Sequence, residues 1–461
     1  MRPAWTLALS GKAHDKVKRH LFPGDGLEAA AILVCTRVPG PRQKLLVRDT
    51  VLVPHIACTR QPDAITWPGE CLEKAIDLGE PRGLCLILIH SHPGGLFAFS
   101  EKDDASDRAT LPSAFAAFGD LHGTAVMVPS GAVKARLYGP ALSPVPVDLV
   151  TVAGDDISFF WNSLGDAPRP MAFTSAMTAE LGRLSAVAIG ASGTGSITLE
   201  QLGRLGFGRV TGIDFDRVEP RNLNRILSAT TDDALKEQLK TNVFARAMTL
   251  YRGAGVAIPI AASIATRDAV LEASQADVVL CCVDSHEGRQ MADLIAAAFL
   301  LPLVDVGVVI PVRKTQSGVA IADVCGRVDY VQPDGATLMD REVYSAATLR
   351  AEYLRRVAPE AHQEEIAAGY IRGLDEQAPS VITLNMRAAA AGVNEFIARA
   401  YPYRLDHNRR YARTLFSLAA CEEEYVCEDN FARASNPIVA RGDQEPLLGL
   451  PALTAPRRAA A

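Results

Sequence analysis

Two histidines and a carboxylate stand at a spacing suited to a metal ion. Residues 90–93 read His-Ser-His-Pro directly after the apolar run Leu86 to Ile89, so both imidazoles should project from one face at the end of a strand. Asp103 lies eleven residues after His92, with Ser100 three residues before it, and the intervening loop can return this carboxylate to the histidines. Two imidazoles and one carboxylate leave zinc an open position for water, so the spacing predicts a catalytic metal site.

Hydrolysis at such a site also needs a group that takes and delivers a proton. Glu28 is the candidate, because it precedes the strand-like run Ala29 to Val38 and is therefore a carboxylate from a different strand. A lone His-x-His is more often a pair of surface or hydrogen-bonded histidines. The remote Glu, the Ser and the Asp at these spacings favour the metal site.

These residues resemble the motif of the JAMM (JAB/MPN) metalloproteases: a distant Glu, then His-Ser-His-Pro, six residues, Ser, two residues and Asp. The resemblance implies that His90, His92 and Asp103 bind Zn²⁺. It also implies that Glu28 is the general acid/base and that Ser100 steadies the water or the tetrahedral intermediate. Some relatives in this family keep the fold after losing the metal.

A second segment carries the residues of a nucleotide site. Residues 190–196 read Gly-Ala-Ser-Gly-Thr-Gly-Ser between a strand-like run, Ala186 to Ile189, and a helix-like run, Ile197 to Leu205. Backbone N–H groups in such a turn approach phosphates at the N-terminus of the helix. Asp214 ends the next strand and is placed to hydrogen-bond a ribose. These features alone leave a dinucleotide-dependent dehydrogenase open.

The segment that follows separates the two possibilities. Residues 214–225 read Asp-Phe-Asp-Arg-Val-Glu-Pro-Arg-Asn-Leu-Asn-Arg, a density of charge that hydride transfer does not need. Adenylation needs it, because the enzyme must bind ATP and magnesium and stabilise charge while a carboxylate attacks the α-phosphate. The segment therefore favours an adenylating enzyme.

This segment resembles the signature of the ThiF-like activating enzymes, the superfamily that includes ubiquitin-activating enzymes and the sulfur-carrier activators. The resemblance implies a site for ATP and Mg²⁺, in which Arg225 and Lys240 also serve catalysis. The expected site comprises Gly190, Gly193, Gly195, Asp214, Asn222, Arg225, Lys240 and Asp284, the last of which holds magnesium. Arg169 sits where these enzymes carry an arginine that reaches the nucleotide of the partner subunit.

The sequence departs from the superfamily where many relatives place a cysteine as thioester nucleophile or zinc ligand. Residues 333–340 read Pro-Asp-Gly-Ala-Thr-Leu-Met-Asp, and Thr337 and Asp340 stand where the cysteines would be. Three alternatives stay open: direct transfer of the adenylate to a partner's nucleophile, use of another cysteine, or an oxyester on Thr337. A hydroxyl nucleophile needs an adjacent base, which the sequence does not identify. The other cysteines that could serve are Cys325, Cys421 and Cys427.

The hydrophobic pattern predicts the elements that position these residues. Short apolar runs separated by turns indicate a mixed sheet in the first part of the chain, and the order strand, glycine turn, helix, strand indicates a doubly wound sheet in the second. The strands expected in the first part are Ala29 to Val38, Lys44 to Val53, Leu84 to Ile89 and Gly123 to Val128, with a helix over Gly69 to Leu78. The second sheet continues through Val210 to Ile213, Asp277 to Val283 and Leu303 to Val309.

The 461 residues therefore predict an α/β protein of two domains. The resemblances cover roughly residues 20–140 and 170–400. We expect a JAB/MPN mixed α/β domain over residues 1–145, a proline-containing linker over 146–175, a Rossmann-like adenylation domain over 176–400 and a C-terminal extension over 401–461 with a frayed end.

Composition argues against several classes of function. Hydrophobic residues make up 48% and charged residues 22%, as in ordinary folded proteins. A net charge of -6 provides no polycationic field for nucleic acid, and no stretch reaches the roughly 20 apolar residues that span a membrane. Nine cysteines without C-x-x-C spacing predict reduced thiols. We expect a cytoplasmic protein without nucleic-acid or membrane partners.

Both chemistries on one chain predict an order of events, since a ubiquitin-like precursor must be trimmed to its terminal glycine before its carboxylate is adenylated. Such fusions resemble those of bacterial operons, often linked to phage defence, that encode a modifier and a conjugating enzyme. The predicted partners are therefore a ubiquitin-like modifier, a conjugating-enzyme-like protein and a second copy of the chain in a homodimer. Two alternatives stay open: activation of a sulfur carrier as a thiocarboxylate, with the metalloprotease processing the carrier, and a non-catalytic scaffold.

Overall fold

The computed structural model describes residues 2–164, 167–316, 318–360, 362–363 and 381–456, and the chain divides into two compact units. The first unit comprises Met1–Arg169, Ala297–Leu300 and Pro437–Ala461. The second unit comprises Pro170–Ala296 and Leu301–Asn436. The frayed end predicted after Pro456 lies outside the described residues. Within the described part of the chain, no helix is long and apolar enough to cross a membrane.

A nine-stranded mixed sheet forms the centre of the first unit, in the order β11-β10-β1-β3-β2-β6-β7-β8-β9, and β4 and β5 form a separate hairpin. The strands are β1 (Trp5–Ser10), β2 (Ala30–Val38), β3 (Gln43–Leu52), β4 (Thr59–Gln61), β5 (Ala64–Thr66), β6 (Cys85–Ser91), β7 (His122–Met127), β8 (Val133–Tyr138), β9 (Pro144–Pro146), β10 (Leu149–Ala153) and β11 (Ile157–Trp161). Strand β1 is parallel to β3 and β10, β6 is parallel to β7, and the other pairs are antiparallel.

Both faces of this sheet are covered, which explains why β2 is apolar at successive positions rather than alternating ones. Its residues Ala31, Leu33 and Cys35 belong to one buried cluster, and Ala30, Ile32 and Val34 belong to another. The helices that lie wholly within the described part of this unit are α1 (Gly11–Leu21), α2 (Glu70–Gly79) and α3 (Glu101–Ala117). Helix α1 contributes to the first cluster and α2 to the second, and α2 agrees with the predicted helix to within a residue.

Residues 146–175, for which the sequence predicts a linker, contain two strands of this sheet. Strand β10 pairs with β1, and β11 pairs with β10 at the edge of the sheet. Pro146, the first residue of the predicted linker, and Pro144 just before it lie in β9, at the opposite edge, where a missing N–H group costs no hydrogen bond on the open side. Proline here marks edge strands as much as it marks the end of a domain.

The second unit holds an eight-stranded sheet in the order β14-β13-β12-β15-β16-β19-β20-β21, and β17 and β18 form a separate hairpin. The strands are β12 (Ser185–Ile189), β13 (Arg209–Ile213), β14 (Ala257–Ile260), β15 (Val278–Cys281), β16 (Leu303–Val309), β17 (Val312–Thr315), β18 (Gly318–Ile321), β19 (Cys325–Val331), β20 (Arg413–Ser417) and β21 (Glu422–Val426). The five strands from β14 to β16 are parallel and the last three are antiparallel. Strand order reverses between β12 and β15, so a crevice is expected at their carboxyl ends.

Helices accompany this sheet in the described residues. They are α4 (Ser175–Leu181), α5 (Gly193–Leu205), α6 (Thr231–Leu235), α7 (Lys240–Arg252), α8 (Arg267–Ser274), α9 (His286–Phe299), α10 (Ala346–Val357) and α11 (Ile382–Ala400). Helix α5 begins inside the glycine-rich segment, four residues before the apolar run that predicts it. Residues 401–461, predicted as an extension, instead supply β20 and β21 to this sheet and Pro437–Ala461 to the first unit.

Candidate active sites

Strand pairing brings the predicted acid/base residue to the predicted metal ligands. In the β2–β6 pair Ala30 lies opposite His90, and Ala29 donates its N–H to the Ser91 hydroxyl at 2.9 Å. The Ser91 N–H in turn donates to the Ala29 carbonyl at 2.9 Å. Glu28, the residue before Ala29, is therefore fixed beside the end of β6. Sequence reasoning gave Ser91 no role, although it ties the two strands together.

Two carboxylates approach the pair of imidazoles. The Nε2 atoms of His90 and His92 lie 3.0 Å apart, and the Asp103 carboxylate oxygens lie 3.0 Å and 3.5 Å from them. Glu28, His90 and His92 also offer ligand atoms that all lie within 4.8 Å of one another. Two nitrogens bound tetrahedrally to zinc at 2.0–2.1 Å would lie about 3.4 Å apart, so this donor set fits such an ion with modest adjustment.

The His92 ring is held in the tautomer that a metal ligand requires. Its Nδ1 lies 2.7 Å from the Leu96 carbonyl, and because a carbonyl only accepts, the proton belongs on Nδ1 and the lone pair on Nε2. Burial alone would lower the pKa of His92, but hydrogen bonding to Asp103 and Leu96 outweighs it and raises the pKa, so the second proton, which Asp103 favours on Nε2, is the one that a metal ion would replace. The same contacts act oppositely on Asp103: burial would raise its pKa, but hydrogen bonds from His90 and His92 hold the pKa well below the usual range.

Ser100 and Asp103 form a reciprocal cap at the N-terminus of α3. The Ser100 N–H and hydroxyl donate to Asp103 Oδ2 at 2.6 Å and 2.8 Å, and the Asp103 N–H donates to the Ser100 hydroxyl at 3.2 Å. This capping box fixes the carboxylate that faces the histidines. The role of Ser100 towards water or an intermediate stays a prediction.

A buried ion pair holds α3 against the sheet. The Asp107 carboxylate accepts hydrogen bonds from Arg136 Nη2 and the Tyr138 hydroxyl, both at 2.7 Å. Arg136 also pairs with Asp104 at 2.5 Å, and its guanidinium lies 3.8 Å from the centre of the Phe99 ring. These contacts lie on both sides of the Ser100–Asp103 cap, so they position it. Asp104 and Asp107 are acidic residues close to Asp103 in the sequence, and they indicate that α3 pairs with a basic side chain. The sequence does not show that this side chain is Arg136.

Glu28 is buried, and its backbone is held by the β4–β5 hairpin. Burial raises the pKa of Glu28, although the neighbouring histidines oppose the shift. Arg60 donates to the Glu28 carbonyl at 2.7 Å and to the Leu27 carbonyl at 3.0 Å, and it pairs with Asp25 at 2.6 Å. The Glu28 N–H donates to the Gln61 carbonyl at 2.9 Å. Nothing in the sequence pattern predicted these contacts.

A cleft of about 910 Å³ opens in the second unit where the strand order reverses. Most of the residues predicted to bind ATP line it: Gly190, Gly193, Asp214, Asn222, Arg225, Lys240 and Asp284. The volume is in the range of small-molecule sites. Gly195 packs directly against the backbone of the glycine turn, because a Cβ on it would lie 2.0 Å from the Gly190 carbonyl oxygen.

The glycine turn depends on close backbone approach and is braced by Asp214. Gly190 has φ +91°, and a Cβ on Gly193 would lie 2.2 Å from the Asn385 side-chain nitrogen. The Asp214 carboxylate accepts from the N–H groups of Ala191 at 2.7 Å and Asp216 at 2.8 Å. Burial raises the pKa of Asp214 despite these bonds. Each oxygen keeps a second lone pair, so a hydrogen bond from a ribose stays a prediction.

The predicted phosphate ligands have partners within the protein. Lys240, the first residue of α7, pairs with Asp216 at 2.7 Å, and its side chain is 7% exposed whereas that of Asp216 is 51% exposed. The buried Asn222 accepts from the Glu219 N–H at 3.1 Å through its side-chain oxygen. Asp284 is exposed on the cleft wall between β15 and α9. A single carboxylate of this kind suits Mg²⁺, which takes its remaining ligands from phosphates and water.

Thr337 and Asp340 cap each other in a turn. The Thr337 N–H donates to Asp340 Oδ2 at 2.9 Å, and the Asp340 N–H donates to the Thr337 hydroxyl at 3.0 Å. Thr337 is not among the residues that line the cleft. The geometry gives it a capping role, and an oxyester on its hydroxyl stays a prediction.

The three candidate cysteines occupy different environments. Burial and a hydrogen bond with Asp323 raise the pKa of Cys325 to about 11, which disfavours the nucleophilic thiolate at neutral pH. Cys421 is exposed, and the Cys427 thiol lies 3.6 Å from Asp429. Exposure alone therefore favours Cys421 among the three.

Arg169 belongs to the first unit, where its guanidinium donates to the Ser158 hydroxyl. The resemblance places this arginine at the nucleotide of a partner subunit. That role depends on a second copy of the chain and stays a prediction.

Comparisons with known protein families match the two candidate sites to two different families. Residues 11–136 match the prokaryotic homologs of the JAB domain, and residues 169–348 match the ThiF family. No curated protein sequence matches the chain.

Similar solved structures cover part of the chain. They include E. coli MccB with ATP, which is 17% identical with a TM-score of 0.41 over 57% of this chain and 68% of that chain. The microcin C7 biosynthetic enzyme MccB with N-formylated MccA is 18% identical with a TM-score of 0.42 over the same shares. Selenomethionine PaaA is 16% identical with a TM-score of 0.39 over 56% of this chain and 67% of that chain.

Proposed function

Because the chain joins a prokaryotic JAB domain to a ThiF-family domain, we propose that it is a bifunctional enzyme of a ubiquitin-like conjugation pathway. The JAB domain hydrolyses a peptide or isopeptide bond after the C-terminus of a ubiquitin-like modifier. The ThiF domain activates that C-terminus with ATP. The observation that carries the hydrolase is that the Nε2 atoms of two imidazoles lie 3.0 Å apart, with the Asp103 carboxylate 3.0 Å and 3.5 Å from them and Glu28 within 4.8 Å of both histidines.

In the hydrolytic site His90, His92 and Asp103 would hold Zn²⁺. When bound, zinc supplies Lewis acidity and lowers the pKa of a water molecule. The Leu96 carbonyl and the Ser100 cap orient two of these side chains before the ion arrives. Glu28 lies buried beside them, where it can take the proton of the attacking water and deliver it to the leaving nitrogen.

In the second unit the glycine turn and the polar side chains of the cleft would bind ATP. Amide groups at the start of α5 would face the phosphates, and Asp284 would hold Mg²⁺. Arg225 and Lys240 stabilise charge as an oxygen of the modifier's carboxylate bonds to the α-phosphorus. The bond to the bridging oxygen breaks, and pyrophosphate leaves with that electron pair.

The two activities act in sequence on one partner. Trimming exposes the terminal carboxylate, adenylation activates it, and a conjugating-enzyme-like protein receives it. The activated modifier passes on directly, through a cysteine or through a hydroxyl, and the reciprocal cap at Thr337 favours the first two routes.

Glu28→Gln tests the hydrolase. With a fusion of the ubiquitin-like modifier as substrate, this variant should lose cleavage and keep its zinc, because the proposed ligands His90, His92 and Asp103 remain. Zinc content is measured by metal analysis of the purified full chain. Asp77→Asn, an exposed carboxylate of α2, is the matched control and should cleave normally. Cleavage by Glu28→Gln at the wild-type rate would exclude the assigned role of Glu28.

Incubation with ATP, Mg²⁺ and the modifier tests the activating half. Pyrophosphate release and a mass increase of one AMP on the modifier are expected. A covalent adduct that is sensitive to thiols indicates a thioester, whereas one sensitive only to hydroxylamine indicates an oxyester. Absence of both pyrophosphate and adduct would exclude adenylation.

A further inference from the structure

The cationic side chains that line the nucleotide cleft differ in whether a carboxylate neutralises them. Lys240 pairs with Asp216 at 2.7 Å. Arg289 lies 3.5 Å from the buried Asp305. Positive charge at these two positions is therefore partly balanced before any nucleotide binds.

Two further arginines of the cleft wall are also paired with acids. Arg221 pairs with Glu219 at 2.6 Å, and Arg356 pairs with Glu287 at 2.5 Å. Both pairs are solvent-exposed, so they restrain the side chains only weakly.

Within the part of the chain that the structure describes, two guanidinium groups of the cleft have no acidic partner. Arg225 donates to neutral acceptors, the Arg221 carbonyl at 3.0 Å and the Asn224 side-chain oxygen at 3.1 Å. Arg355 is exposed on the cleft wall and makes no hydrogen bond or ion pair with any described residue. The resemblance implies that Arg225 binds the phosphates, whereas it gives Arg355 no role.

Helix α10 holds Arg355 on the wall of the cleft that Asp284, the predicted magnesium ligand, also lines. The Glu352 carboxylate accepts from the Glu287 N–H at 2.8 Å, and Arg356 bonds to the Glu287 carboxylate at 2.5 Å and 3.3 Å. Residues 352 and 356 share one helix face and dock α10 on the first turn of α9. Asp284 lies two residues before that turn, and it lines the same cleft as Arg355.

We propose that Arg355 is a binding subsite for the β- and γ-phosphates of ATP, and hence for the pyrophosphate that leaves. This inference rests on the proposed adenylation. As the bond between the α-phosphorus and its bridging oxygen breaks, negative charge collects on the pyrophosphate. A planar guanidinium can bind two phosphate oxygens at once, and this one has no carboxylate among the described residues to release first.

The test compares nucleotides that differ only in these phosphates. The full-length Arg355→Gln variant is titrated with ATP and with AMP, each with Mg²⁺, by isothermal calorimetry. The dissociation constant for ATP should rise about tenfold, the loss of one charge-assisted contact, whereas that for AMP should not change. Arg355→Lys should recover part of the ATP affinity because it keeps the charge.

Arg350→Gln on the same helix is the matched control, because Arg350 does not line the cleft. It should leave both affinities unchanged, and circular dichroism checks that each variant is folded. Unchanged ATP binding by Arg355→Gln, or an equal loss for ATP and AMP, overturns the subsite. Unchanged ATP affinity with a higher KM for the modifier also overturns it, since the anion bound would then be the carboxylate. If the wild-type chain binds no ATP, the proposed adenylation itself fails.

Discussion

The two candidate sites are organised in opposite ways. At the first, side chains of neighbouring strands and a helix already lie within hydrogen-bonding distance of one another, and the proposed ligand is a small ion that they would bind together. At the second, a cleft of about 910 Å³ is walled by a backbone turn and by paired charges. A metal site needs its donors converged in advance, whereas a nucleotide brings its own charges and needs space and backbone N–H groups.

The supporting ion pairs show the same contrast. Arg136 and Asp107 are both buried, so their pairing is a fixed part of the fold. In the Lys240–Asp216 pair the acid is half exposed, so a phosphate can displace it at little cost. We therefore expect loss of structure from changes near the first site and loss of affinity from changes near the second.

Arg136→Met should have the largest effect. Removal of one member of a buried pair leaves Asp107 uncompensated, and the free energy of unfolding should fall by about 3 kcal/mol. Tryptophan fluorescence in urea measures this, because all three tryptophans, Trp5, Trp67 and Trp161, belong to the first unit. Arg108→Met, exposed on α3, is the control and should unfold like the wild type. Equal stability of both variants would remove the structural role assigned to the pair.

Gly195→Ala should affect only the second site. The added Cβ would lie 2.0 Å from a backbone oxygen, so the glycine turn must shift, and ATP affinity should fall about 100-fold. Calorimetric titration with ATP measures the loss, while cleavage of the modifier fusion should continue. Gly69→Ala has open space at its Cβ and should change neither activity. Retained ATP affinity would mean that the turn is not the rigid element described above.

Asp293→Asn tests whether a buried charge away from the cleft weakens the second unit. Burial raises the pKa of Asp293 to about 6, against hydrogen bonds from Tyr344 and Leu338. The folded state then favours the protonated acid, so this group destabilises the protein above pH 6, and the penalty disappears as the pH falls towards 4. The variant should be more stable by about 2 kcal/mol at pH 8, with the difference shrinking on acidification.

Urea unfolding followed by circular dichroism at pH 8, 6 and 4.5 measures that difference. Tyr344→Phe is the companion variant: it removes the hydroxyl that bonds to Asp293 at 2.8 Å and should destabilise the protein most at high pH, where the acid is charged. A difference between Asp293→Asn and wild type that is independent of pH would show that Asp293 does not titrate in this range.

Arg60→Gln should have the smallest effect of the four. The guanidinium holds the carbonyls of Leu27 and Glu28, so its loss lets Glu28, the proposed acid/base, move, and the cleavage rate should fall about tenfold with zinc retained. Lys102→Gln breaks an exposed pair with Asp63 and should leave the rate unchanged. Equal cleavage rates for Arg60→Gln and Lys102→Gln would show that the β4–β5 hairpin does not position Glu28.

Local patterns in the sequence predicted the elements and the motifs, but not the pairings that place them. The His-Ser-His-Pro and glycine-rich segments lie where their flanking apolar runs indicated, because strand and helix periodicity is a short-range property. That Ala30 lies opposite His90 depends on register between strands about 60 residues apart in sequence, which periodicity does not contain.

Two regions show why the remainder was not predictable. Strands β10 and β11 are short, and nearby prolines resemble a linker, yet β10 completes its hydrogen bonds with β1, more than 140 residues away. The support of Asp103 by Arg136 likewise joins residues of α3 and β8. Such contacts follow from tertiary packing, which overrides the local signal.

The first unit is discontinuous in sequence, and this sets an order on its completion during synthesis. Pro437–Ala461 belongs to that unit, where the Ala440 carbonyl accepts from the buried Thr36 hydroxyl at 2.7 Å and Leu447 and Leu453 are buried. The ribosome reaches this segment more than 260 residues after Arg169. At a synthesis rate of about 5–20 residues per second, the segment that completes the JAB domain emerges on the order of 10 to 50 s after Arg169. The ThiF domain is synthesised in this interval. The first unit therefore starts to form before the second and is completed after it.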